Sequence, residues 1–241
     1  MRRNARAFTR LELAAAVAAL ALLFVAALPL WAASRAQSDR AACFNNLRQL
    51  MRAALAYAGD NNETFPARVP APYWPGRLLN YYGSTNLLTC PADGPAPSSF
   101  PGPGADGAPR SYIMNGWNDY YDAHSGGGLV TNPFPLSAIS EPAQTIVLGE
   151  KAAESAHFWM DYDKIDDLLQ LDQSRHFSSK PNDTDGASQY AFGDGSVRLL
   201  KFGESFYPVL LWAVEPEART NAFIGPSISA DSTQKQKRPG R

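Results

Sequence analysis

Residues 13 to 33 read LAAAVAALALLFVAALPLWAA, a run of 21 with no charged or polar side chain. As a helix rising ~1.5 Å per residue it would be roughly 31 Å long, about the thickness of bilayer hydrocarbon. After Ser34 the pattern changes. Ala36, Cys43, Leu47, Leu50, Met51, Ala54 and Ala58 recur at helical spacing, while Arg40, Asn45, Asn46, Arg48, Gln49 and Arg52 occupy other faces. This predicts an amphipathic continuation of the same helix over 34–59, ending near Gly59-Asp60. Its apolar stripe must lie against something, most simply the globular part of the same chain. Pro29 is expected to kink or loosen the rod.

Farther along, the apolar pattern shortens to strand length. Thr145–Glu150 is short and β-branched, and His157–Met160 is a second candidate. Gln189–Gly193 and Ser196–Phe202 flank Asp194-Gly195, which predicts a hairpin closed by a type I′ turn. Residues 91 to 110 hold six Pro and four Gly and read as loop. Tyr73-Trp74, Tyr81-Tyr82, Trp117 and Tyr120-Tyr121 would cover a small sheet, or form a carbohydrate- or partner-binding surface. The fold class expected is α+β, a long N-terminal helix packed on a small antiparallel sheet with long loops.

Charge narrows the partners. The 241 residues carry 22 basic and 23 acidic side chains, a net charge of -1. No nucleic-acid partner is expected from that balance. Arg2, Arg3, Arg6 and Arg10 precede the apolar run. By the positive-inside rule this end stays in the cytoplasm and the rest of the chain lies outside. A cleaved secretory signal is one alternative, with Ala32-Ala33-Ser34 as its cleavage site, although such apolar cores usually run ~7–15 residues. A plain membrane anchor is another.

Ala7-Phe8-Thr9-Arg10-Leu11-Glu12-Leu13 places an acid at the start of the apolar stretch. A carboxylate there is expensive in lipid and calls for a partner. The segment resembles the leader and N-terminal helix of prepilin-like proteins, the type IV pilins and type II secretion pseudopilins. That resemblance implies cleavage between Ala7 and Phe8 by a prepilin peptidase, N-methylation of Phe8, and a register-setting role for Glu12. The new amine of one subunit would pair with Glu12 of another, so other pilin-like subunits are the implied partners. Ala7 stands where the family usually has Gly, and Arg10 where it is apolar.

Further residues extend the resemblance over most of the chain: Cys43-Phe44-Asn45-Asn46-Leu47-Arg48-Gln49, Cys90-Pro91-Ala92-Asp93, and His176 with the later Asp194-Gly195. They are similar to a pseudopilin-like subgroup of planctomycetes and verrucomicrobia that ends in a domain of unknown function. Seventeen residues separate His176 from Asp194 here, against nine in the subgroup pattern. The organisation implied is a leader over 1–7, a membrane helix over 8–33, its amphipathic continuation over 34–59, an exported domain over 60–224 and a disordered tail over 225–241. The location implied is the bacterial inner membrane, crossed once, with the C-terminal domain periplasmic or extracellular.

Cys43 and Cys90 are the only cysteines. Export would favour a disulfide between them, two buried free thiols being the alternative. Two cysteines alone make no zinc site, and neither has a His at ligand spacing nearby. Residues 150 to 195 carry ten acidic and four basic side chains, with Asp161, Asp163, Asp166, Asp167 and Asp172 crowded together. A solvated acidic face is the plainer reading. An irregular calcium site around Asp183-Thr184-Asp185-Gly186 is the sharper one, although the EF-hand pattern fails there. His176, Asp194 and Ser196 offer a superficial catalytic set, but Ser196 lacks a nucleophile elbow. No catalytic residue and no cofactor are expected.

Overall fold

The structure is a computed structural model that describes residues 9–94, 97–99, 101–125, 131–162, 168–178 and 183–220. It is dominated by one helix, α1, Arg10–Asp60, 51 residues long. That is about 75 Å of continuous rod. Pro29 sits inside it without ending it. The helix stops where the sequence predicts, at Gly59-Asp60, and the chain turns through Asn62 and Glu63, both at φ 55°.

The two halves of α1 meet different surroundings. Leu20, Leu22, Leu23, Phe24 and Val25 are exposed although they point in all directions around the rod. An 18-residue window of this half is apolar enough to cross a membrane, and none of it is buried. The other half presents Cys43, Leu47, Leu50, Met51, Ala54 and Ala58 to the core. Ala36, expected in that stripe, is exposed. The packed stretch begins only at Asp39 and Arg40, where the rod first meets the rest of the chain.

That remainder is an α+β head. Among the described residues its main sheet has five strands: β2 Tyr112–Asn115, β4 Ile146–Glu150, β5 Trp159–Met160, β6 Ala187–Phe192 and β7 Val197–Lys201. Their order is β5-β2-β4-β6-β7. The pairs are antiparallel except β5 with β2, which is parallel, with Met114 opposite Trp159. The sheet is therefore mixed rather than purely antiparallel. A separate antiparallel pair joins β1 Thr64–Phe65 to β3 Phe134–Pro135. Among the described residues the head also holds the short helices α2 Trp74–Tyr82, α3 Asn118–Ser125 and α4 Pro216–Arg219.

Strands β2, β4 and β6 are buried along their whole length, because both faces of the sheet are covered. One face carries Tyr112, Met114, Leu148 and Ala191 against α1. The other carries Ile113, Ile146, Tyr190 and Phe192 against Trp212 and Leu210. The register shifts between Ile146 and Leu148. A bulge puts consecutive side chains on one side, and Val147 and Leu148 both join the α1 face. At Gly149 a Cβ would stand 2.9 Å from ring atoms of Trp212 and Tyr190, so only glycine admits that contact.

Strand β6 runs alongside α1. The Gln189 side-chain amide donates to the Arg40 carbonyl (3.0 Å), and Gly195 lies against Leu55. The contacts follow the same order along both elements, with Gln189 at Arg40 and the hairpin tip beyond Phe192 at Leu55. The two elements are thus parallel, and the Ala187 end of β6 is the end nearer the apolar half of α1.

Two expectations need correction here. The Asp194-Gly195 hairpin forms, but not through a type I′ turn, which needs positive φ at both central residues. Only Gly195 is left-handed, at φ 84°. Its N–H donates to the Phe192 carbonyl (2.9 Å), and the Phe192 N–H to the Ser196 carbonyl (2.9 Å). This is a three-residue loop with glycine at the bulge position. The Pro/Gly-rich stretch after Cys90 is also more than loop. Gly104–Gly107 forms a helical turn with Asp106 buried. The Asp106 carboxylate accepts the Tyr73 N–H (2.8 Å) and the Gly76 N–H (2.9 Å). It satisfies orphan donors at the start of α2 that no local side chain caps.

The aromatic clusters are core rather than a binding face. Trp74 and Trp117 are fully buried, and Tyr73, Tyr81 and Tyr120 pack against the same core. Trp117, Phe134 and Phe65 form a cluster of near-parallel rings, with Trp117 4.1 Å from Phe134 and 5.7 Å from Phe65 between centroids.

Candidate functional site

At the start of α1, Thr9 is the N-cap. Its hydroxyl accepts the Glu12 N–H (3.2 Å), and Glu12 Oε2 accepts the Thr9 N–H (2.9 Å). This reciprocal capping box satisfies two orphan donors within the chain itself. Glu12 is therefore exposed yet locally paired. Ala7, Phe8, the leader and the 225–241 tail lie outside the described residues.

The motif residues of the head meet in one buried corner. Cys43, on α1, and Cys90 form a disulfide across 47 residues. Beside it, Glu150 at the end of β4 is fully buried, with Oε1 3.1 Å from His176 Nε2. Its other oxygen accepts the Gln189 N–H of β6 (2.9 Å). Burial pushes the Glu150 carboxyl up, but the His176 hydrogen bond, Arg175 and the Gln189 N–H outweigh that and leave it below its ordinary value. With Glu150 ionised, Nε2 of His176 carries the shared proton.

Arg175, next in sequence, holds the corner together. Its guanidinium pairs with Asp93 (3.2 Å) and Asp172 (3.3 Å), and donates to the Ser111 carbonyl (3.1 Å) and to the Lys151 carbonyl. Burial alone would lower its pKa; Glu150, Asp93 and Asp172 together raise it. Lys151 is also buried and donates to the Ser155 carbonyl (2.6 Å). Ligand-type atoms of Cys43, Cys90, Glu150 and His176 all lie within 4.8 Å of one another.

The fold separates other candidates. His176 bridges Ala187 at one end of β6, whereas Asp194 and Ser196 lie in the hairpin beyond its other end. That strand is roughly 17 Å long, so His176, Asp194 and Ser196 are not brought together. The Asp194 carboxylate instead accepts the Ser196 N–H (2.9 Å). Asp194 and Gly195 shape the hairpin tip.

Much of the acidic stretch is internally paired. Asp161 bridges Arg68 (2.6 Å). Asp183 accepts the Ser178 hydroxyl (2.8 Å) and the Asp185 N–H (3.3 Å). Asp163, Asp166 and Asp167 lie outside the described residues. The metal-type cluster among the described residues is thus at the disulfide. It includes Glu150, which sequence alone did not single out, because strand order and not spacing places it beside His176.

No protein-family model, no curated protein and no solved structure matches the chain.

Proposed function

We propose that this chain is a pseudopilin-like structural subunit of a type II secretion or type IV pilus-like assembly. Prepilin peptidase would cut it before Phe8, and the new Phe8 amine would be methylated. The chain would then sit in the bacterial inner membrane, crossing once, with its N-terminus cytoplasmic and its head periplasmic or extracellular. The observation that carries this reading is the division of α1. One uninterrupted rod is apolar and uncovered in its first half, yet forms the spine of a head in its second. An uncovered apolar half needs lipid or neighbouring rods. The Phe8–Glu12 spacing then supplies a charge pair for registering one rod against the next.

Mass analysis of the mature protein from cells with an active prepilin peptidase tests it. A chain beginning at N-methylated Phe8 is expected. An intact Met1, or a start near Arg35, would reject it.

A second reading is a single-span anchored extracytoplasmic binding protein that does not assemble. The capping box favours it, since Glu12 already has partners in its own chain. Glu12→Ala separates the two. Loss of subunit cross-linking through α1 in the variant supports assembly; absence of such cross-linking in the native chain, with location unchanged by the substitution, supports the plain anchor.

A further inference from the structure

Two side chains from distant parts of the chain lie beside the Cys43–Cys90 bond without being needed to make it. Glu150 comes from the end of β4 and His176 from the segment bridged to β6, and both are buried. The Glu150 carboxylate is held by the Gln189 N–H on one oxygen, leaving the other toward the imidazole. We propose that opening the Cys43–Cys90 disulfide converts this corner into a closed, four-ligand zinc site. Its ligands are the Cys43 and Cys90 thiolates, the Glu150 carboxylate and the His176 imidazole.

The geometry is close to what zinc requires. The four ligand atoms lie within 4.8 Å of one another, while a tetrahedral zinc holds its ligands roughly 3.3–3.8 Å apart. The sulfurs must separate and the imidazole and carboxylate must close in by about an ångström, within reach of side-chain rotation. Two thiolates with one imidazole select zinc over calcium or magnesium, which take oxygen ligands. Four protein ligands with no open position make it structural rather than catalytic. Two thiolates, a carboxylate and a divalent ion sum to one negative charge, and the buried Arg175 guanidinium lies beside Glu150, where Asp93 and Asp172 share its positive charge. The second shell is already built, because the Gln189 N–H orients Glu150.

The chemistry balances with a dithiol as reductant. The dithiol passes two electrons and two protons to the Cys43–Cys90 bond, which breaks into two thiols, and becomes a disulfide itself. Zinc then forms two Zn–S bonds as both thiol protons leave to solvent. It also replaces the proton shared between His176 Nε2 and Glu150 Oε1, with the imidazole proton carried on Nδ1 instead.

The test uses the full chain in detergent micelles, reduced with a dithiol, desalted under anaerobic conditions and titrated with cobalt(II) as a spectroscopic probe. One cobalt per chain is expected, with thiolate-to-cobalt charge transfer and the intense visible bands of a tetrahedral site, all displaced by one equivalent of zinc. The oxidised chain should give neither signal. In the reduced protein Glu150→Gln and His176→Ala should each weaken zinc at least tenfold. His176→Cys, which keeps a ligand there, should retain one cobalt per chain with stronger charge transfer. Absence of the bands overturns the proposal. So does equal cobalt affinity in wild type, Glu150→Gln and His176→Ala, since two thiols of an unfolded chain would bind that way.

Discussion

His176 and Glu150 illustrate how one buried side chain depends on another. Removing the imidazole leaves a buried carboxylate with the Gln189 N–H and Arg175 but without the partner of its Oε1. His176→Ala is expected to cost about 3–5 kcal/mol, the usual penalty for breaking a buried pair from one side. Glu150→Gln combined with His176→Ala should cost less than the two single changes added, and chemical denaturation of all three variants measures that coupling. Lys151 gives a pH signature. Burial pushes its ammonium down to about 7; Arg110 and Arg175 add to that, while Asp93 and Glu154 oppose it. The unfolded chain keeps this proton up to about 10.5. Between these values the unfolded state binds more protons, so stability climbs as pH rises through that window. Thermal unfolding at pH 7 and 9.5 should show the higher midpoint at pH 9.5, and Lys151→Met should flatten the difference. None of these roles was legible in sequence. A carboxylate or ammonium at a strand end reads as solvent-facing until the strand order is known.

Elements were easier to read than side chains, and the reason is range. The α1 stripe is a local pattern, so its end at Asp60 and six of its seven expected core residues follow directly from periodicity. Leu50→Ala should therefore cost about 2–5 kcal/mol in head stability, while Leu20→Ala in the uncovered half should leave it within about 0.5 kcal/mol. Urea titration of the two variants makes the comparison. The hairpin was legible because Asp-Gly marks a turn, but loop length and φ decide the turn type. Gly195→Ala forces a side chain into the left-handed region and should cost about 1–2 kcal/mol. The parallel pairing of β5 to β2 depends on where a long connection returns, which no local pattern carries. The capping box is the converse case: Thr9 and Glu12 fit its four-residue signature openly, yet the acid there also reads as a subunit contact.

Across the whole molecule, α1 belongs to two environments. Membrane retention should survive alkaline carbonate extraction in the native chain. Leu20→Arg with Leu23→Arg should release the protein, since each charge near the centre of a span costs about 2.5–3.5 kcal/mol. The disulfide sits at the seam between those environments. Cys43 is the first fully buried residue of the rod after its exposed half, and its bond to Cys90 restricts the unfolded chain by about 4 kcal/mol on a loop-entropy account. Cys43→Ser with Cys90→Ser should lower the unfolding free energy by up to that amount. The location of the bond matters as much as its strength. Traction along the rod would otherwise peel the spine away from the sheet one turn at a time, starting at Arg40. With Cys43 riveted to Cys90, the load passes through a covalent link before it reaches Leu47, Leu50 or Met51. The joint resists pulling like a bolted flange, and its tensile limit changes with oxidation state.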